Sequence, residues 1–186
     1  MISTGDLKKG VTIELDDKLW AILDYDHIKT GRGSAQVRIK LRDVRTGSII
    51  ERTFQAGTKF PRARVERRDM QFLYADDQFF NFMNTATYDQ IPVDVAKIGD
   101  AKDFLRENDT CELILYGDEV IGIQLPGSVV LTVTESDPGL KGDTATGATK
   151  PATLETGLVV NVPLFIEAGQ RIRVNTETRE YIERAN

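Results

Sequence analysis

Val37-Arg38-Ile39-Lys40-Leu41-Arg42 alternates apolar and basic side chains without a break. A strand turns successive side chains to opposite faces, so this stretch reads as a strand with one apolar and one basic face. Upstream, Val11, Ile13 and Leu15 alternate with polar residues, and Leu19, Trp20 and Ile22 make a second short run. Downstream, Thr46-Gly47 reads as a turn before Ile49-Ile50-Glu51-Arg52-Thr53-Phe54, and Ala56-Gly57-Thr58-Lys59 closes the unit. These runs describe a small, closed, strongly curved β-barrel over residues 1–64.

The same pattern continues through the chain. Met70 to Tyr74 and Phe79 to Met83 read as strands joined by the acidic turn at Ala75-Asp76-Asp77. The aromatics here suit a barrel core better than base-stacking platforms, because the charge around them is acidic. Ile91-Pro92-Val93 and the stretch 100–108 are expected to form two short helices; Cys111 to Tyr116 and Val120 to Leu125 form a hairpin turned by Gly117-Asp118. A third unit runs from Val129 to Val133, through an irregular span from Asp137 to Pro151, and on to strands at 158–166, near Ile172 and Val174, and at Tyr181-Ile182. Pro163 suits an edge strand. The expected division is 1–64, 65–126 and 127–186, an all-β chain whose last two units are compatible with five-stranded oligonucleotide-binding barrels. No sequence repeat is evident.

Composition narrows the function classes. With 40% apolar and 28% charged residues in 186, the chain suits a globular protein, and no run approaches the roughly 20 apolar residues of a membrane span. One cysteine, Cys111, and one histidine, His27, give neither a disulfide nor a metal cluster. No cofactor or metal is expected, and a reducing cytoplasm is the expected location. The net charge of −5 is unevenly spread: residues 1–64 carry 13 Lys/Arg against 8 Asp/Glu, residues 65–126 carry 5 against 13, and residues 127–186 carry 6 against 8. Between Lys29 and Arg45 there are six basic residues and one acid, Asp43. Such polarity sets one basic end against phosphate while the middle is repelled, favouring one docking pose.

Two loops carry the candidate chemistry. Lys29-Thr30-Gly31-Arg32-Gly33-Ser34-Ala35 lies between strand patterns and reads as a hairpin tip. Glycines on both sides leave the Arg32 guanidinium unobstructed, and its five donors match phosphate oxygens or a base face. The spacing alone is equally compatible with an ordinary hairpin bearing a solubilising arginine. The loop lacks the residues and the strand-to-helix context of a phosphate-binding P-loop. Ser34 and His27 have no acid partner for a triad, so an enzyme is not expected. The second loop contains Gly142-Asp143-Thr144, which can contact base edges and ribose or cap its own turn. Glu155 either orders the adjoining loop or contacts nothing.

The chain resembles the bacterial translation elongation factor P family along its whole length. The resemblance rests on Met1-Ile2-Ser3, Gly31-Arg32-Gly33 with Ala35, Arg52-Thr53-Phe54 and Gly142-Asp143-Thr144. It rests most of all on Lys150-Pro151-Ala152-Thr153-Leu154-Glu155-Thr156-Gly157, continuing to Val162-Pro163-Leu164-Phe165-Ile166 and Gly169. It implies an SH3-like, KOW-type barrel followed by two oligonucleotide-binding barrels in a tRNA-like outline. It also implies a non-enzymatic, monomeric factor that enters the 70S ribosome between the peptidyl-tRNA and exit sites and relieves stalling at consecutive prolines. The implied partners are ribosomal RNA, peptidyl-tRNA and mRNA at the exit-site codon, with no membrane. Arg32 would approach the tRNA acceptor end, flanked by Lys29, Gly31, Gly33 and Ser34. Arg38, Lys40 and Arg42 would contact RNA backbone, and Gly142, Asp143 and Thr144 would face the exit-site codon. Many family members carry a modified lysine at the tip, where this chain has Arg32. Some arginine members are rhamnosylated and others are bare, so an arginine-modifying enzyme is a candidate partner, and Gly33 leans toward the bare form. A general single-stranded RNA-binding protein is the alternative reading.

Overall fold

The computed structural model describes residues 1–29, 31, 33–138 and 147–186. Thr30, Arg32 and the segment 139–146, which includes Gly142, Asp143 and Thr144, lie outside the described residues. The first module contains β1 (Ile2–Ser3), β2 (Thr12–Leu15), β3 (Lys18–Ile28), β4 (Gln36–Asp43), β5 (Ile49–Gln55) and β6 (Lys59–Phe60). Strands β2-β3-β4-β5 form an antiparallel sheet in sequence order, and β1 pairs with β6. The β2–β3 turn has only two residues, Asp16 and Asp17, both at positive φ (53° and 59°). That conformation matches the right-handed twist of the flanking strands, and aspartate tolerates it better than most residues. The β4 alternation holds throughout: Val37, Ile39 and Leu41 are fully buried while Arg38, Lys40 and Arg42 are exposed. Ile13, Trp20, Ile22 and Phe60 complete the core, and the Trp20 indole N–H donates to the Leu15 carbonyl at 3.1 Å.

The second module contains β7 (Glu66–Ala75), β8 (Phe79–Asn84), β9 (Gln90–Asp94), α1 (Val95–Ile98), a 3-10 turn at Gly99–Asp103, β10 (Thr110–Tyr116) and β11 (Glu119–Gln124). The third contains β12 (Ser128–Ser136), β13 (Thr149–Leu154), β14 (Val159–Pro163), β15 (Arg171–Asn175) and β16 (Tyr181–Ala185). Their strand orders are β11-β10-β7-β8-β9 and β14-β13-β12-β15-β16. In each sheet the first strand is central, the next two lie on one side and the last two on the other. A structural repeat is therefore present that the sequence does not display. Pro92 and Pro163 both fall on edge strands, where a missing N–H is tolerated. The expected helix at Ile91–Val93 is instead strand β9; helix begins only at Val95, capped by the Asp94 carboxylate accepting from Ala96 N–H at 2.8 Å.

The closed barrels expected from the sequence are corrected to curled, open sheets. Bulges between Ile22 and Asp24, Phe72 and Tyr74, and Val133 and Glu135 bend the strands. No ladder among the described strands joins the two edges of any sheet. In the third module β14 and β16 approach each other without pairing.

By packing, the chain divides into two compact units: residues 1–67 with 114–122, and residues 68–113 with 123–186. In the first, the tip of the β10–β11 hairpin lies against the first module. Arg45 forms two bonds to Glu119 (3.2 and 3.1 Å), and the Tyr116 hydroxyl donates to Glu14 at 3.1 Å. In the second, Phe104 is buried within the cluster of Leu131, Leu154, Val160 and Ile172. The β13–β14 turn seats on the same segment, with Thr156 Oγ1 donating to the Asp103 carbonyl at 2.5 Å and Arg106 reaching Glu155 at 3.4 Å. Glu155 thus has a structural role: it also accepts the Thr132 backbone N–H at 2.8 Å. Arg179 closes the junction, bonded to Asp103 at 2.7 Å and lying 5.5 Å over the Phe104 ring.

Candidate nucleic-acid interface

Strands β3 and β4 pair up to Ile28 and Gln36, so residues 29–35 connect them as a hairpin loop. Lys29, Gly31, Gly33 and Ser34 are all exposed. Gly31 does not use the left-handed backbone region, and a Cβ added there would meet nothing within 4 Å. Its backbone conformation is therefore not one that only glycine can adopt.

Arg38, Lys40 and Arg42 project from β4 on one face, as the alternation requires. The structure adds what the linear count missed. Asp26 stands opposite Arg38 on β3, Asp24 opposite Lys40, and Glu51 opposite Lys40 on β5. Lys9 pairs with Asp24 at 2.9 Å, and this hydrogen bond holds the Asp24 carboxyl below its ordinary range and raises the Lys9 ammonium. Arg38 and Lys40 are thus faced by acids while Arg42 stands opposite Ala21 and Ile49, so the positive charge of this face is interrupted rather than uniform. The spacing of Asp24 and Asp26 puts them on one face of β3, but which β4 residues they face is set by a bulged register that the sequence does not display.

A cavity of about 580 Å³ is lined by Lys18 and Leu19 of β3 together with Phe54, Phe60, Pro61 and Tyr116.

In the third module the described residues give the base of the second loop. Lys150, although 7% exposed, donates its ammonium to the Asp137 carbonyl at 2.6 Å, and Ser136 Oγ donates to the Ile166 carbonyl at 3.0 Å. A buried cation held this way ties β13 to the end of β12, on the threshold of the segment 139–146. Cys111 is buried on β10, and its thiol is pushed up to about 12 by burial, with Asp109 and Glu112 adding to the rise. It is an inert core side chain.

An all-β chain of this kind, built from a KOW-like module and two oligonucleotide-binding-type modules, belongs to the class of translation factors rather than of enzymes. Residues 3–60 match the elongation factor P KOW-like domain, residues 65–123 its OB domain and residues 129–184 its C-terminal domain. The chain is 50% identical to elongation factor P of Pelotomaculum thermopropionicum over 99% of this chain and 100% of that protein. It is 52% identical to that of Moorella thermoacetica over the full length of both, and 49% identical to that of Ruminiclostridium cellulolyticum over 99% of each. The chain belongs to the elongation factor P family.

Proposed function

We propose that this chain binds the translating ribosome between the peptidyl-tRNA and exit sites and speeds peptide-bond formation at consecutive prolines by positioning peptidyl-tRNA. The observation that carries the reading is family membership across all three modules, at about half identity with full-length relatives. Proline is a slow acceptor, and a strained nascent chain lets the peptidyl-tRNA drift from a reactive pose. A protein packed beside that tRNA accelerates the step without donating a proton. A misplacement of about 1 Å costs roughly 100-fold in rate, so restricting the acceptor end is sufficient in magnitude.

In this reading the working divisions are 1–64, 65–126 and 127–186. Arg32 contacts the acceptor end, bare or as the substrate of an arginine-modifying enzyme. Lys29, Gly31, Gly33 and Ser34 form its loop, and Arg38, Lys40 and Arg42 meet RNA backbone. Gly142, Asp143 and Thr144 face the exit-site codon. The factor works as a monomer in the cytoplasm, with ribosomal RNA, peptidyl-tRNA and mRNA as its contacts.

Single-turnover synthesis of a three-proline peptide on reconstituted ribosomes tests the assignment against a proline-free template. Arg32→Ala should bind ribosomes normally and be slow on the proline template alone, because a contact made in the reactive arrangement affects rate rather than affinity. Arg32→Lys should be intermediate, keeping charge but losing the planar fork. Wild-type rates from Arg32→Ala on both templates would sink the tip assignment. Equal affinity of the wild type for free RNA and for ribosomes would favour a general RNA binder.

A further inference from the structure

The two oligonucleotide-binding-type sheets share one topology, so their hairpins can be compared position by position. In the third module the hairpin of the second and third strands, β13–β14, places Glu155 and Thr156 on residues 103–106. The hairpin of the fourth and fifth strands, β15–β16, adds Arg179 on Asp103 and Phe104. Both turns are seated. In the second module the hairpin of the fourth and fifth strands, β10–β11, is also seated, through Tyr116 on Glu14 and Glu119 on Arg45. Of these four hairpins of the outer strands, β8–β9 instead presents an exposed Tyr88.

That turn is built rigidly. The Asn84 side chain accepts the N–H groups of Ala86 (2.8 Å) and Thr87 (3.2 Å), Tyr88 N–H donates to the Asn84 carbonyl at 2.8 Å, and Asn84 N–H donates to the Asp89 carbonyl at 2.8 Å. The same four bonds recur at Asn175, Glu177, Thr178, Arg179 and Glu180. Tyr88 (φ 65°) and Arg179 (φ 62°) hold the same left-handed position. Arg179 uses it to reach an acid and an aromatic ring. Tyr88 is 72% exposed in the same geometry, a large apolar ring on a strained backbone position.

We propose that the Tyr88–Asp89 turn docks an arginine- or lysine-bearing protein surface of the ribosomal complex, with the cation over the Tyr88 ring and paired to Asp89. The chemistry inverts the Arg179 junction: there the turn supplies the cation and the platform supplies ring and acid, whereas here the turn supplies ring and acid. The seated counterpart of this hairpin points the same way, since Glu155 on β13–β14 meets an arginine, Arg106. Charge favours a cationic protein over RNA. Asp89 follows Tyr88 in the chain, with its carboxylate accepting from Thr87 Oγ1 at 2.7 Å, Asp69 lies beside the turn with its carbonyl accepting from Thr85, and residues 65–126 carry 13 acids against 5 bases. Arg67 and Arg68, on the neighbouring strand, have interactions of their own. A cation over an aromatic face with a carboxylate beside it is a recurrent recognition arrangement.

This inference rests on the ribosome-binding reading, and the test separates the two. Purified 70S ribosomes carrying peptidyl-tRNA are titrated with wild type, Tyr88→Ala, Tyr88→Asn, Tyr88→Phe and Asp89→Asn. Asparagine tolerates the positive φ, so its variant removes the ring without adding backbone strain. Tyr88→Ala and Tyr88→Asn should each weaken binding about 10-fold, Asp89→Asn about 3-fold, and Tyr88→Phe less than about 2-fold. A photoreactive benzoylphenylalanine at position 88 should crosslink to a ribosomal-protein peptide containing Arg or Lys. Wild-type affinity of both ring-deletion variants, or crosslinks only to ribosomal RNA, only to a second copy of the chain, or to nothing, would overturn the proposal and leave ribosome binding intact. Failure of the wild type to bind ribosomes would overturn both.

Discussion

Removing the Glu155 carboxylate should loosen the link between β12 and the β13–β14 turn and, more weakly, the contact with Arg106, and the size of the effect can be worked out contact by contact. Glu155 Oε1 accepts the Thr132 N–H at 2.8 Å and a weaker bond from Arg106 at 3.4 Å, while the Glu155 N–H returns a bond to the Thr132 carbonyl at 2.9 Å. The Arg106 side chain is 36% exposed and that of Glu155 32%, so their ion pair is screened and is worth less than about 1 kcal/mol. Arg106 is in any case held first by Asp109, at 3.0 Å. The bond from Thr132 N–H to a charged acceptor is the larger contribution, about 1.5 kcal/mol at this exposure. Glu155→Ala loses both and should cost about 2 kcal/mol; Glu155→Gln keeps the acceptor and should cost about 0.5 kcal/mol. For a chain of this size that corresponds to a fall in Tm of roughly 4–8 °C for alanine and about 1–2 °C for glutamine. Scanning calorimetry should resolve it in the transition of the second unit, because a chain of two units need not unfold in one step. Equal losses for alanine and glutamine would show that the ion pair, not the Thr132 bond, dominates. No loss in either would refute the stabilising role of Glu155.

Lys40→Glu with Arg42→Glu should weaken ribosome binding more at moderate than at high salt, since phosphate contacts act through counterion release; parallel wild-type and mutant curves across a salt series would exclude this face. Burial pushes the Asp43 carboxyl up, but the backbone N–H groups of Arg45 and Thr46, at 2.9 and 3.1 Å, outweigh it and hold the group below its ordinary value. Its stabilisation is therefore complete above the ordinary carboxylate range and is lost as pH falls through the lowered folded value. Asp43→Asn should flatten the acid limb of the stability–pH curve, and an unchanged limb would show that other carboxylates set it. The Cys111 thiol, pushed up to about 12, should resist a thiol reagent at pH 8 in the native chain and react on addition of denaturant; prompt native labelling would show that β10 opens readily.

Alternation was the part of the fold that the chain displays openly. Val37 to Leu41, Phe72 with Phe82, and Leu131 with Val133 each place apolar side chains on one face, and all of them are buried. Strand β13 was hidden because Thr149-Lys150-Pro151-Ala152 breaks the apolar period with a lysine and a proline. Both are accommodated by pairing that sequence cannot reveal: Pro151 stands opposite Asn161, beyond the last paired residue of β12, and Lys150 is buried against the Asp137 carbonyl. Barrel closure was illegible for a related reason, since edges are joined or left open by bulges and by strand ends rather than by periodicity. The repeat of the two oligonucleotide-binding-type modules escaped because it lies in strand order. The resemblance of Asn84-Thr85-Ala86-Thr87-Tyr88-Asp89 to Asn175-Thr176-Glu177-Thr178-Arg179-Glu180 joins the second–third hairpin of one sheet to the fourth–fifth hairpin of the other. At the candidate site, the exposed row Arg38, Lys40 and Arg42 was legible, and its acidic neighbours were not, because Asp24, Asp26 and Glu51 become neighbours only through register. That difference bears on mechanism. In the proposed role, a uniform basic face would hold RNA wherever phosphate is dense, whereas a row in which Arg38 and Lys40 face acids and Arg42 does not would gain only where phosphates match its spacing, selecting orientation along with affinity.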